Sequence, residues 1–268
     1  MSRLSIQQLR RAELFLIAIS GVASLTVLFI IVPVASLFIM CDPHTLSYLF
    51  SSPAFASEVR EAFMTTFIAS GIATLILLVI GIPTGYILAR FSFPGKAVIE
   101  SLLDIPLLMP HVVSGIMILS AFSERGILSP VTSIFKIKVE DSLLGIILAM
   151  MYVSAPIMID TVKAAVASVD PMLEHVARTL GASTARTFIT VTLPLISRSI
   201  VAATILTWAR ALSEVGAILV VAYYPKTVNV LILEYLQSLG LKYAIALSVP
   251  LALIAVAIFT AIRVVLKT

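Results

Sequence analysis

Two stretches of this 268-residue chain carry residue types able to act together. WARALSEVG sets Arg210 and Glu214 four apart, so on a helix they share a face. LEHVARTLGASTARTFITVTLP, from Leu173 to Pro194, gathers Glu174, His175 and Arg178 between residues that start and stop helices. Neither is a catalytic arrangement. No nucleophile stands beside a base, and no His, Cys and carboxylate spacing suggests a metal site. An opposed charge pair in apolar sequence either ties helices together or lines a path for ions. A short charged helix in such a chain needs a surface to dock on.

The elements around these stretches belong to a membrane. The chain is 60% hydrophobic and 12% charged, with mean hydropathy +1.13; a soluble domain carries roughly 25% charged residues. A pI near 9.3 does not argue for nucleic acid, because basic residues in a membrane protein fix orientation. The single cysteine, Cys41, excludes an intrachain disulfide. The start, MSRLSIQQLRRAELFLIAIS, is basic like a signal peptide. Its apolar run from Leu14 to Met40 far exceeds the ~7–15 residues of a cleavable segment, so it reads as a retained span.

Apolar run lengths predict an all-α polytopic protein with six spans, at 14–40, 63–89, 100–120, 142–161, 199–221 and 244–262. With the N-terminus inside, the inner segments 1–13, 90–99, 162–198 and 263–268 hold eleven Lys and Arg in 66 residues. The outer segments hold six in 65. The excess predicts that both termini are cytoplasmic. Spans 1, 2 and 6 carry no charge and suit lipid contact. Glu100, Asp104 and Asp160 fall near cytoplasmic ends, whereas Arg210 and Glu214 fall near the centre of theirs. Pro106 and Pro110 interrupt span 3, which is therefore bent or unwound, as a packing kink or as part of a gate. Gly81-x-x-x-Gly85 permits close helix approach, and His111 reads as a polar packing residue.

Residues 162–198 form the charged cytoplasmic loop of what reads as one domain, 1–268. Asp170-Pro171 is a helix start and Gly181 a left-handed stop. Leu173, Val176, Ala177 and Leu180 fall on one face. Glu174 and Arg178 pair on another in the favourable acid-first order. Ser183 caps a second short helix that carries Phe188 and Ile189 and ends before Pro194. The first helix either packs on its own membrane domain or lipid interface, or fills a groove in a cytoplasmic partner.

ARTLGAS followed by Val191-x-Leu193-Pro194 resembles the cytoplasmic loop of the membrane subunits of binding-protein-dependent ABC importers. That family's pattern is Glu-Ala-Ala, three residues, Gly, nine residues, Ile-x-Leu-Pro. Here Gly181 and Val191 keep the spacing and Ala177 matches the second Ala. His175 stands at the Glu position, Val176 at the first Ala, and Glu174 offers a carboxylate one place early. GIPTGYILARFSFPGKAVIE, LLDIPLLMPHVVSGIMIL and WARALSEVGAILVVAYYP are similar to molybdate and tungstate permeases, with sulfate permeases close behind.

The resemblance implies a type I ABC importer permease fold, a multi-pass chain of a prokaryotic plasma membrane. It implies a coupling helix, with Leu173, Glu174, His175, Ala177, Arg178, Gly181, Val191, Leu193 and Pro194 as the ATPase-coupling residues. Two copies would form the pore, two ABC ATPase subunits would bind inside, and an oxyanion-binding protein would deliver substrate outside. No phosphate-binding G-x-x-x-x-G-K-[ST] loop is present, since PGK at Pro94–Lys96 lacks the preceding glycine and the hydroxyl. Mg-ATP therefore belongs to the partners, with no cofactor on this chain. Pathway or gate candidates are Arg210, Ser213, Glu214, Pro110 and Ser114. Arg210 would lower the barrier to a divalent oxyanion, and Glu214 would oppose tight retention; the self-neutralising tie stays open beside this. An ion-coupled secondary transporter would need mid-membrane carboxylates and usually an internal repeat. An intramembrane enzyme would need reactive groups within the spans.

Overall fold

A computed structural model describes the backbone of residues 3–267 and the side chains of residue 13 and residues 15–260. Every regular element among the described residues is helical. α1 (Arg3–Ile39) leads through the short α2 (Pro43–Ser51) to α3 (Ala56–Arg90). α4 (Lys96–Leu108) and α5 (His111–Phe122) follow, then the short α6 (Ser129–Ile134) and the long α7 (Leu143–Ser168). A charged excursion holds α8 (Pro171–Thr179), α9 (Thr184–Thr187), a π-helical turn (Phe188–Thr192) and α10 (Leu193–Leu195). α11 (Ser197–Leu212), α12 (Gly216–Val221), α13 (Val228–Ser238) and α14 (Leu241–Lys267) complete the chain.

The centre is α3 against α7, made possible by small residues. A Cβ on Gly81 would lie 2.6 Å from Met158 Cγ, and one on Gly85 would lie 2.9 Å from the Ile159 carbonyl. Helices in lipid gain little from burying apolar surface against each other, so close backbone approach and dispersion hold them. Ala69 and Ala73 extend this seam into a cluster with Met150, Val153, Ala211 and Ile218. Towards the Arg90 end, Leu77, Met158, Val162 and Ala203 bind α11 to the pair. Towards the other end, Leu49, Val59, Leu231 and Leu247 join α2, α3, α13 and α14. There Lys226 Nζ sits 2.7 Å from both Glu58 and Glu234. α1 leans on α14 and is exposed along nearly all its described length, with Phe29 and Ile39 almost free. Exposed apolar side chains of this kind suit lipid.

Of the six expected spans, the two at 100–120 and 199–221 are not single helices; the first is expected to bend at its prolines, the second is not. Among the described residues four helices are long and apolar enough to cross a bilayer: Phe15–Ile39, Ala56–Arg90, Leu143–Ser168 and Leu241–Thr260. A fifth is reached if Thr184–Leu195 and Ser197–Leu212, bent by 75°, count as one. The predicted span 100–120 is divided between α4 and α5. Pro106 is buried inside α4, and the break falls at Met109 and Pro110, which are extended. Pro110 has no N–H to continue the ladder, and it biases Met109 away from helix. The Glu100 carboxylate, near the start of α4, meets Lys163 of α7 at 2.7 Å.

The predicted span 199–221 also breaks, after Leu212. Glu214 accepts a hydrogen bond from the Ala217 amide at 2.8 Å and so caps α12. Asn229 Nδ2 donates to the carbonyls of Leu212 at 2.7 Å and Glu214 at 3.1 Å. Side chains thus replace the lost helical bonds. α5 and α12 then lie side by side, so close that a Cβ on Gly115 would come 2.7 Å from the Ala217 carbonyl.

The glycine seam is testable. Gly85→Val should cost about 1–3 kcal/mol through overpacking, seen as a lower thermal midpoint of the purified protein. Gly71→Val should leave the midpoint unchanged, since a Cβ there meets nothing within 4 Å.

Candidate functional site

The excursion between α7 and α11 folds as its caps require. Asp170 accepts from the Met172 amide at 2.8 Å, and Pro171 occupies the first helical position. Gly181 ends the helix at φ 91°, with its amide on the Arg178 carbonyl and that of Ala182 on Ala177. Ser183 accepts from the Arg186 amide at 3.3 Å and opens α9. The second helix does not end before Pro194. It passes through the π turn and continues to Leu195. In that turn the Leu193 amide reaches back to Phe188, which gives the proline ring room and makes its missing N–H harmless.

α8 is amphipathic with its sides reversed. Met172, Leu173, Val176 and Leu180 are exposed, Leu180 by 83%, while Glu174 is only 3% exposed. His175 and Arg178 are exposed, Ala177, Val191 and Leu193 are half-buried, and Gly181 and Pro194 are exposed. The apolar stripe therefore faces away from the rest of the chain, and the one buried charge faces into it.

Glu174 is the hub of the loop. Its Oε1 lies 2.9 Å from Arg90 Nε and accepts from Thr192 Oγ1 at 2.8 Å. Its Oε2 accepts from the Tyr86 hydroxyl at 3.3 Å. The expected Glu174–Arg178 pair does not form. Arg178 Nε donates instead to the Glu174 carbonyl at 3.3 Å, because Arg90 offers the carboxylate a buried partner. Burial opposes ionisation of Glu174, but the hydrogen bonds from Thr192 and Arg90 and the guanidinium charge outweigh it and hold the carboxyl below its usual range. Arg90 Nη2 also donates to the Val169 carbonyl at 2.9 Å, and Tyr86 packs on Phe188 with ring centroids 4.7 Å apart.

The second site lies where the two helix breaks meet. Arg210 Nη1 reaches Glu214 Oε2 at 3.0 Å, and His111 Nδ1 reaches the same oxygen at 2.7 Å. Arg210 Nη2 lies 3.2 Å from His111 Nδ1. Glu214 is fully buried, Arg210 is 22% exposed and His111 52%. The pair is intact, yet it spans the end of α11 rather than sitting on one continuous helix. Ser213 is exposed and donates to the Arg210 carbonyl at 3.0 Å. Pro110 stands beside His111 in the other break, and Ser114, one turn further along α5, is buried with its hydroxyl unpartnered. Among the described residues no group of three His, Cys, Asp or Glu side chains could hold a metal ion.

Several residues escaped the sequence reading. Tyr86 and Arg90 are one turn apart at the end of α3, a spacing that signals a shared face but names no partner. Thr192 carries no such signal. His111, read as packing, is a third member of the charged pair, and its place directly after Pro110 was the available clue. Trp208 Nε1 donates to Ser70 Oγ at 2.9 Å and ties α11 to α3.

Comparison with known proteins fits this geometry. Residues 81–267 match the family described as "Binding-protein-dependent transport system inner membrane component". The chain is 42% identical to the molybdate/tungstate transport system permease protein WtpB of Methanocaldococcus jannaschii, over 94% of this chain and 96% of that one. It is 40% identical to the protein of the same description from Thermococcus kodakarensis, with the same coverage. The sulfate transport system permease protein CysT of Salmonella typhimurium is 34% identical over 62% of this chain and 60% of its own. A solved chain of a bacterial ABC transporter that imports alginate superposes with a TM-score of 0.70, at 17% identity and 99% coverage of both chains, a likeness of fold. This chain belongs to the inner-membrane components of binding-protein-dependent transport systems, the multi-pass permease subunits of prokaryotic ABC importers.

Proposed function

We propose that this permease forms the pore of an importer for molybdate or tungstate. The observation that carries the substrate is the 39–42% identity to three molybdate/tungstate permeases across 94% of the chain. Sulfate is the second reading, favoured by the CysT relative. All three ions are tetrahedral dianions, so binding of each to the partner capture protein separates the two readings.

In this reading both termini are cytoplasmic, residues 1–268 are one membrane domain, and 162–198 is its coupling loop. The α4–α5 and α11–α12 breaks then complete six passes. Two copies face each other across a twofold axis. Two ATPase subunits, which supply Mg-ATP hydrolysis, grip the α8 loops, and an external binding protein delivers the anion. The outward stripe of Met172, Leu173, Val176 and Leu180 supports this. It is apolar, cap-stabilised and left exposed by the described residues. ATP-driven closure would bring the two α8 loops together and open the pore outward.

Arg210 is the residue proposed to meet the anion. Its charge is compensated by Glu214, so the break attracts a dianion without holding it. The first amides of α5 start beside it and add positive potential. Ser213, Pro110 and Ser114 shape the same region.

Two measurements check these assignments. Leu173→Asp/Val176→Asp changes only exposed side chains. It should leave the permease folded and abolish ATPase co-purification. Arg210→Ala should abolish uptake while the complex still assembles. The neutral double variant Arg210→Gln/Glu214→Gln leaves no uncompensated charge and should lower uptake at least tenfold. Uptake near wild type in the double variant would leave the pair as a structural tie.

A further inference from the structure

We propose that Arg90 and Glu174 are the joint that fastens the α8 loop to α3 and α7, so that displacing the loop moves those spans. The inference rests on the coupling reading of α8 and deepens it. Both covalent connections of the loop are poor levers. On the α7 side, Val169 and Asp170 are extended, with ψ 128° and 119°. On the α11 side, the chain turns by 75° between Leu195 and Ser197. Neither link continues a helix, so the backbone alone does not fix the direction in which α8 would push α7 or α11.

The side chains supply what the backbone does not. Glu174 gathers the loop, since Thr192 brings in the π turn and Tyr86 and Arg90 bring in α3. Arg90 closes the extended link by holding the Val169 carbonyl at the end of α7. Tyr86 against Phe188 adds an apolar brace. The hub is buried and charged, so parting Arg90 from Glu174 would leave an uncompensated charge out of water. The loop and α3 therefore move as one body. α3 is keyed to α7 by Gly81 and Gly85, and the Trp208–Ser70 bond links it to α11 two residues before Arg210. Glu174 thus acts behind the docking face, as a positioning residue rather than a contact to the partner.

The test uses the full complex in proteoliposomes, with ATPase subunits and binding protein, and measures molybdate imported per ATP hydrolysed. Arg90→Gln should keep ATPase co-purification and hydrolysis within about threefold, with import per ATP at least tenfold lower. Arg90→Lys, which keeps the charge, should recover a substantial part of that loss. In Glu174→Gln, spin labels at the exposed positions Thr179 and Ile87, in a Cys41→Ser background, should show a broadened distance distribution. With Glu174 intact it should stay narrow with and without ATP. Unchanged import per ATP in Arg90→Gln, or a distribution that stays narrow in Glu174→Gln, would overturn the proposal. Loss of ATPase co-purification in Arg90→Gln would also overturn it, by making the hub part of the docking itself. If Leu173→Asp/Val176→Asp leaves co-purification intact, the coupling reading fails, whatever the Arg90 variants do.

Discussion

Hydrocarbon offers no hydrogen bond to a backbone group that has left its helix, and the interior of this permease is arranged around that constraint. Two of its apolar segments are broken, and the second break is repaired by side chains of the protein itself. At Met109–Pro110 the proline has no N–H to continue the ladder, and the helix stops there. At Ser213–Val215 the Asn229 amide takes up two carbonyls and the Glu214 carboxylate takes up an amide. Repair by polar side chains brings charge to the same place. Glu214 is buried where it caps a helix, Arg210 compensates its charge, and the His111 ring meets the same carboxylate oxygen. The polar spot where the breaks meet is thus a consequence of interrupting two helices side by side.

The same logic runs in reverse in the α8 loop. A short amphipathic helix normally turns its apolar side towards its own protein. Here the buried side is chosen by one charge. Glu174 finds Arg90, Tyr86 and Thr192 inside, and that choice rotates Leu173, Val176 and Leu180 outward. An ion pair within the subunit presents an apolar face to whatever lies beyond it. The absence of the family's usual Glu at position 175, where His175 stands exposed, leaves the stripe as the larger part of that face.

Local signals were legible in the sequence and distant ones were not. Asp170-Pro171, Gly181 and Ser183 act over four residues or fewer, and each caps as its chemistry dictates. The family pattern around Gly181 and Leu193-Pro194 was readable for the same reason, as a fixed spacing. The break in 100–120 was legible from its prolines, but the one in 199–221 was missed because hydropathy counts apolar residues and does not see that Asn229 and Glu214 satisfy a broken backbone. The Glu174 partner was misassigned because Arg178 lies four residues away and Arg90 lies 84 away. Only the fold brings the second within reach, and once buried it outcompetes a solvated neighbour. Pro194 failed as a stop because a π turn absorbs it, and nothing in the sequence marks that turn.

The Gly81–Gly85 seam has a mechanical side. Two helices in backbone contact have no slack, and neither can slide along the other by a residue without first lifting clear. α3 and α7 are thereby interlocked against axial sliding. Changes of direction in the chain then fall at the margins of the pair, where it turns at Ile196 and runs extended through Val169.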